Sequence, residues 1–583
     1  MKLITHYMGA YSGRIALSIF IKFLGSVTEL AIPYILAHLI DEVVPLRSGA
    51  LVALWGALMI LTAVATRQFN VCANRIAVDN AHRVSYDVRQ ALFTKTANLS
   101  GTQFDAFGLP SLISRMTSDS YNVQTCVQAL QTMCTRIPIL LFGGIAATML
   151  MDPVLASILC VIVPVLLVVI LTVSRYGIPL YHRVQDRLDD VVRTMREDIT
   201  GIRVVKALSK TEYEKRRFAG VNDAMTRADV LASTVMAVPG PFMQMCLNIG
   251  LTIVVWFGAQ RVYSGAIKPG VILAFLTYFN MIMQGAMGVN RIFMMLSKAT
   301  ASANRIAGVL AAGDDQKVLP ASACKEPAGD EFIRFEHVDF RYGEGSEAGS
   351  FAGAERGKCL SDISFALKRG ESLGIIGPTG CGKTTIVNLL MRFYDAQSGG
   401  VFVDGRDVRS YEKDELRRKF GVVFQNDMVF FNTLRENIRF GRELDDRELM
   451  RAVEDAAASE YIGSLEGGLD YRADIKGANL SGGQKQRLLI SRALAGDPEI
   501  LILDDSSSAL DYKTDAALRR AIFEHHAHST TILIAQRVSS VQNMTHILVL
   551  DNGRCIGYGT HAELLKTCPA YRETYRAQMG ALD

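Results

Sequence analysis

Residues 377–384 read Gly377-Pro378-Thr379-Gly380-Cys381-Gly382-Lys383-Thr384, with Thr385 following. This is the spacing G-x-x-x-x-G-K-T, and its chemistry is phosphate binding. The glycines let successive backbone N–H groups turn toward an anion, Lys383 neutralises charge on the β- and γ-phosphates, and the Thr384 hydroxyl is a ligand for Mg²⁺. Further along stand two more chemistry-bearing stretches. One is Leu480-Ser481-Gly482-Gly483-Gln484. The other is the apolar run Ile500-Leu501-Ile502-Leu503, which ends in Asp504 and is followed by Asp505.

The elements that must position these residues are legible around them. Ile375-Ile376 lead into the glycine loop and Thr385-Ile386-Val387-Asn388-Leu389-Leu390 continue as a helix, so a bound phosphate meets a helix N-terminus, where the dipole and free N–H groups favour an anion. Ile500–Asp504 reads as a buried strand. Upstream, Phe332–Phe335 and Val338–Tyr342 alternate as strands. Before them, after Asn304-Arg305-Ile306, the pattern dissolves into a Pro/Ala/Gly/Lys mixture of linker composition. These features predict a membrane domain over 1–310, a linker over 311–330 and an α/β domain over 331–583. The Gly/Ser/Glu-rich stretch 343–357 reads as a long hairpin to which no function attaches.

A chain of 583 residues with a net charge of +4 exceeds one globular core, and its near neutrality gives no reason to expect a nucleic-acid partner. A mean hydropathy of +0.20 and 49% hydrophobic residues place part of it in lipid. Six apolar stretches stand at 16–40, 51–72, 128–151, 154–174, 237–259 and 269–296. Each has about the twenty residues or more that cross a hydrocarbon layer of ~30 Å. No signal-peptide cleavage pattern precedes the first. Connectors alternate short and long. The long ones carry Arg75, Arg83, Arg89, Lys95 and Arg115, then Arg183, Arg187, Arg193, Arg196, Arg203 and Lys206, against only Arg47, Arg261 and Lys268 in the short ones. The positive-inside bias therefore puts the long connectors and both termini in the cytoplasm. Within the spans, Glu29 is a candidate cavity or substrate group, as are the amides of Gln244, Asn248, Asn280, Gln284 and Asn290, with helix–helix hydrogen bonding as the alternative. The ten cysteines contain no C-x-x-C pair and read as reduced thiols.

A phosphate loop joined to Leu480-Ser481-Gly482-Gly483-Gln484 and an apolar strand ending in aspartate resembles the ABC ATPases. Together with the hydrophobic half, the chain resembles an ABC exporter half-transporter: a membrane all-α six-helix transmembrane domain followed by an α/β P-loop ATPase. The resemblance implies ATP and Mg²⁺ as cofactors, with Thr384, Gln425 and Asp504 toward the metal and Tyr342 stacking on adenine. It also implies a head-to-tail dimer in which Ser481, Gly482, Gly483 and Gln484 close over the partner's nucleotide and Ser508-Ala509-Leu510-Asp511 lies at the seam. The regions around Phe104-Asp105, Gly108, Ser114-Arg115 and Asp119, and around Glu197 and Gly201–Ala207, are similar to the family's coupling loops.

Two positions depart from the family pattern. Hydrolysing members carry Glu after the strand aspartate, where this chain has Asp505, and His where it has Gln536 in Ile534-Ala535-Gln536-Arg537. Asp is shorter by roughly one C–C bond, and a displacement of that size costs about 10²-fold in rate. Gln has no ionisable proton in this pH range. The expectation is a site that binds Mg-ATP and cleaves it slowly, in the degenerate-site subunit of a bacterial heterodimeric exporter in the cytoplasmic membrane, paired with a second half-transporter. A homodimeric exporter or lipid flippase and an ATP-gated channel stay open, and nothing selects the cargo among small molecules, lipids and peptides.

Overall fold

The computed structural model describes residues 2–320, 331–343, 359–506 and 510–579. The stretch 343–357 lies outside the described residues except for Gly343, as do Ser508 and Ala509. Contacts divide the chain into two units, Met1–Ala97 with Pro110–Ala311, and Asn98–Leu109 with Ala312–Asp583.

Among its described residues, the regular elements of the first unit are all helices. Among the described residues, five helical stretches are long and apolar enough to cross a membrane: Ser12–Leu46, Gly49–Ala97, Leu109–Met151, Thr211–Tyr263 and Pro269–Leu310. The expected stretch 154–174 falls on the helix Pro153–Thr200, which is apolar through Leu166 among the described residues. The sequence Met151-Asp152-Pro153 explains the sharp reversal there. Asp152 caps the new helix by accepting from Leu155 N–H at 2.9 Å, and Pro153 occupies the first helical position. Arg261 donates to the other oxygen of the same buried carboxylate at 2.9 Å.

Polar side chains join Ser12–His38 to Gly49–Ala97. Ser18 donates to the Ala73 carbonyl at 3.1 Å, Thr66 to Thr28 at 2.9 Å, and the buried Lys22 ammonium to Asn70 and Asn74 at 2.7 and 3.1 Å. Glu29 belongs to the same class. Arg136 clasps its two carboxylate oxygens at 2.7 and 3.2 Å, which forms an ion pair across helices. Ionisable groups in an apolar span are costly, and each here has polar or charged partners. Gln244 donates to Asn248 at 3.4 Å and Asn280 to the carbonyl one turn back at 2.9 Å; these amides and Gln284 sit on exposed faces of the single chain. The side chain of Asn290 lies outside the described residues.

Among its described residues, the second unit has ten strands: β1 Ile333–Phe340, β2 Leu360–Leu367, β3 Ser372–Ile376, β4 Ser398–Val403, β5 Arg406–Asp407, β6 Phe420–Val423, β7 Ile500–Asp504, β8 Thr530–Ile534, β9 His546–Asp551 and β10 Arg554–Gly559. An antiparallel sheet has the order β2-β1-β4-β5, and a six-stranded sheet the order β10-β9-β3-β8-β7-β6. In the latter every pairing is parallel except β10 with β9. Continuous burial of β7 and β8 explains why Ile500–Asp504 and Thr530–Ile534 lack polar alternation, as expected of central strands covered on both faces.

Residues 98–109 pack with this second unit although their sequence lies in the apolar half. Ser100 caps the short helix Gly101–Phe107. Gly101 N–H donates to the Phe393 carbonyl at 2.9 Å, and the Tyr394 hydroxyl donates to Asp105 at 2.8 Å. A Cβ on Gly101 would come within 2.5 Å of the Tyr394 ring and 2.8 Å of the Phe393 carbonyl, so only glycine admits this approach.

Candidate functional site

The glycine loop joins β3 to the helix Lys383–Leu390. Gly382 adopts φ 102°, and a Cβ there would lie 2.6 Å from Leu360. Conformation and space therefore both demand glycine at the position that starts the helix. Lys383 turns its ammonium back over the loop and donates to the carbonyls of Gly377 and Pro378, each at 2.8 Å. A cation held over a ring of backbone groups at a helix N-terminus attracts a polyphosphate.

Thr384 donates its hydroxyl to Asp504 at 2.8 Å, which brings together two of the residues that the sequence assigns to Mg²⁺. Asp504 is 2% exposed. Burial raises its pKa and the charge on Asp505 adds to that, while the Thr384 hydrogen bond and the charge of Lys383 oppose the rise. A buried carboxylate beside a hydroxyl is a fitting donor set for a hard cation.

These groups border a cavity of about 620 Å³. Of the expected residues, Tyr342, Thr379, Gly380, Gly382, Lys383, Thr384, Thr385, Gln425, Asp504, Asp505 and Gln536 line it. Gly377, Pro378 and Thr379 line a neighbouring hollow of about 480 Å³ that shares Gln536. Cys381 is buried, and burial pushes its thiol pKa up despite the charge of Lys383. The Tyr342 hydroxyl lies 3.2 Å from the Thr385 hydroxyl and accepts from Asn388 at 3.3 Å. Its ring packs edge-on against Phe340 and Tyr394. Since Tyr394 also holds Asp105, one aromatic step separates the 98–109 segment from the cavity wall.

Asp505 stands at the end of β7 with φ 51°, its N–H bonded to the Ile534 carbonyl at 3.0 Å. Gln536 donates its amide to the Asp505 carboxylate at 3.3 Å. The two residues that depart from the family pattern are thus direct neighbours.

The signature residues Ser481, Gly482, Gly483 and Gln484 line neither hollow. Ser481 and Gln484 instead form a reciprocal cap on the helix Gly482–Leu494. The Ser481 hydroxyl accepts from Gln484 N–H at 3.3 Å, and the Gln484 side chain accepts from Ser481 N–H at 2.8 Å. Gly482 and Gly483 open that helix. Asp511 similarly caps Tyr512–His525, accepting from Thr514 N–H at 2.9 Å. Sequence reasoning missed Cys359, Asn552 and Gly553, which also line the cavity. They come from the approaches to β2 and the β9–β10 turn, and no local motif marks them. The Cys359 sulfur lies 3.2 Å from the Thr385 hydroxyl.

Residues 15–287 match the ABC transporter transmembrane region, and residues 360–508 match the ABC transporter family. A protein of Bacillus subtilis (strain 168), the uncharacterized ABC transporter ATP-binding protein YfiB, is 33% identical over 560 residues, covering 95% of each chain. This chain is an ABC transporter. It also shares 30% identity over 493 residues, 84% of each chain, with an ATP-dependent lipid A-core flippase of Desulfotalea psychrophila. The fold is that of a bacterial Atm1-family ABC exporter solved with ATP bound, with a TM-score of 0.80 at 24% identity over 98% of this chain and 99% of the other. The transporter is accordingly an integral membrane protein with an N-terminal helical transmembrane domain and a C-terminal α/β ATPase. Its ABC ATPase domain makes it an ATP-hydrolysing transporter.

Proposed function

We propose that this ABC transporter exports its cargo as one half of a heterodimer, with a P-loop site that holds Mg-ATP firmly and cleaves it slowly. The observation that carries this reading is the Asp505–Gln536 pair on the wall of the nucleotide cavity. Phosphoryl transfer to water depends on positioning and charge, so a receded carboxylate and a neutral amide silence the step while leaving the binding groups intact. Mg²⁺ bound by Thr384, Asp504 and Gln425 would neutralise phosphate charge, Tyr342 would stack on the adenine, and Lys383 would anchor the β- and γ-phosphates. The complete motif Ser481–Gln484, a capped helix start that does not line this chain's own cavity, would close the partner's site, where most hydrolysis takes place. Closure of two such cassettes would move residues 98–109, and through them the membrane helices, toward an outward-open cavity. The membrane is a bacterial cytoplasmic membrane with both termini inside.

The flippase relative keeps lipids among the cargo classes, beside small molecules and peptides. A homodimer is the second reading, favoured by the presence in one chain of both a whole P-loop and a whole signature motif; it would have two slow sites.

The test is to purify the transporter with its native partner and to count the nucleotide retained after turnover. One intact ATP per complex, with released phosphate derived from the other site, is expected. Brisk hydrolysis by this chain purified alone would overturn the degenerate-site reading. Co-purification with a second copy of the same chain and no other subunit would replace the heterodimer with the homodimer.

A further inference from the structure

At the N-terminal ends of β7 and β8, away from the nucleotide cavity, two turns bring together residues that ATP chemistry does not use. Asp497 lies in the turn that follows the helix Gly482–Leu494 and enters β7, and His526 and His528 lie in the turn that enters β8. Nucleotide groups stand at the opposite ends of these strands, at Asp504–Asp505 and Ile534–Gln536. We propose that Asp497, His526 and His528 form a binding site for a divalent transition metal of the zinc class, with Asp455 behind it orienting one ligand.

One donor atom from each of the three residues lies within 4.8 Å of the others. His526 Nδ1 is 3.4 Å from the Asp497 carboxylate, and His528 Nε2 is 2.9 Å from the same oxygen. A tetrahedral ion with bonds of about 2.05 Å separates its ligands by about 3.3 Å, so the cluster already has the dimension of one face of a zinc polyhedron. Two imidazoles and one carboxylate suit zinc, whereas calcium and magnesium prefer oxygen donors throughout. Asp497 and His528 have side chains 58% and 52% exposed, which gives an ion a way in and leaves room for water as the fourth ligand.

A second observation is independent of the spacing. His526 is 4% exposed, and its Nδ1 is buried without a hydrogen-bond partner while pointing into the cluster. Its other nitrogen, Nε2, lies 3.0 Å from Asp455, a carboxylate 3% exposed whose second oxygen is taken by His525 Nδ1 at 2.5 Å. Donation from Nε2–H to Asp455 leaves the lone pair on Nδ1. A carboxylate–histidine pair of this kind fixes the ring and the tautomer that a metal requires. Leaving that nitrogen unpaired in the interior is costly, and a metal bond relieves the cost.

The test uses the full-length transporter, purified without a histidine tag and stripped with chelator, titrated with Zn²⁺ and, for spectroscopy, Co²⁺. Expected results are one ion per chain, a tetrahedral Co²⁺ d–d spectrum without thiolate charge transfer, and a Zn²⁺-dependent rise in Tm. The solvent-facing variants His528→Ala and Asp497→Asn should lose the stoichiometric ion while keeping ATP binding. Asp455→Asn should weaken binding about 10–100-fold, as loss of an orienting carboxylate does elsewhere. Failure of the wild-type protein to bind one ion per chain, equal binding by both ligand variants, or a Co²⁺–thiolate band that places the ion on cysteine would each overturn the proposal.

Discussion

Replacing Asp505 with Glu tests the geometry of the hydrolytic step directly. The Asp505 backbone is fixed by its N–H bond to the Ile534 carbonyl at 3.0 Å, so the substitution extends the carboxylate from a stationary point. One methylene advances it by about 1.5 Å toward the cavity, where a misplacement of about 1 Å is worth about 10²-fold in rate. That corresponds to about 2.7 kcal/mol of barrier. Gln536 donates to the present carboxylate at 3.3 Å and would lose that register, which makes Asp505→Glu with Gln536→His the fuller restoration. The left-handed φ of 51° suits Asp better than Glu, so a stability loss of up to about 1 kcal/mol accompanies the change. Phosphate release from the assembled dimer in nanodiscs, with ATP affinity measured in parallel, reads the effect. Hydrolysis at this chain's site should rise by about 10²-fold in the double variant while ATP affinity stays level. Asp505→Asn should retain ATP and remove the residual activity. Unchanged turnover in the double variant, with ATP still bound, would refute the reasoning.

Gly101→Ala should disrupt the seat of residues 98–109, because its Cβ would meet the Tyr394 ring at 2.5 Å and a backbone carbonyl at 2.8 Å; faster hydrogen exchange across 98–109 and loss of cargo-stimulated ATPase with ATP binding kept are the expected readouts. Tyr394→Phe removes the hydrogen bond to Asp105 and should act in the same direction, costing about 1.5 kcal/mol of that contact. Burial raises the Cys381 thiol above its ordinary value of 9.0, so at neutral pH it stays protonated, and alkylation should be slow, accelerate only in alkali and be blocked by ATP; rapid labelling at neutral pH would contradict the buried placement. Burial pushes the Glu499 pKa up, but hydrogen bonds from Lys419 and Arg369 at 2.8 and 2.7 Å outweigh it and leave the group depressed. Its contribution is therefore complete above the unfolded value of about 4.3 and is lost as pH falls through the lower folded value, so Glu499→Gln should flatten the acid limb of a thermal-stability profile.

The sequence by itself determined the parts whose physics is local. A phosphate loop needs its glycines, lysine and hydroxyl at fixed spacing, and these appear as Gly377–Thr384 in the chain, with Thr379, Gly380, Gly382, Lys383 and Thr384 on the cavity wall. Apolar runs long enough for lipid marked the helices, and the unbroken hydrophobicity of Ile500–Leu503 marked a central parallel strand. Tertiary structure decided what depends on partners far apart in the chain. Glu29 looked like a lone carboxylate until Arg136, 107 positions away, closed on it. Residues 98–109 lie in the membrane half of the sequence yet bond to Phe393 and Tyr394 of the ATPase. Cys359 and Asn552 reached the nucleotide cavity, and His526 reached Asp455, through sheet order alone. Spacing along a chain encodes the periodicity and the turn chemistry of single elements. Which charge neutralises which, and which loop meets which cavity, follows from the packing of elements that no short stretch of sequence contains.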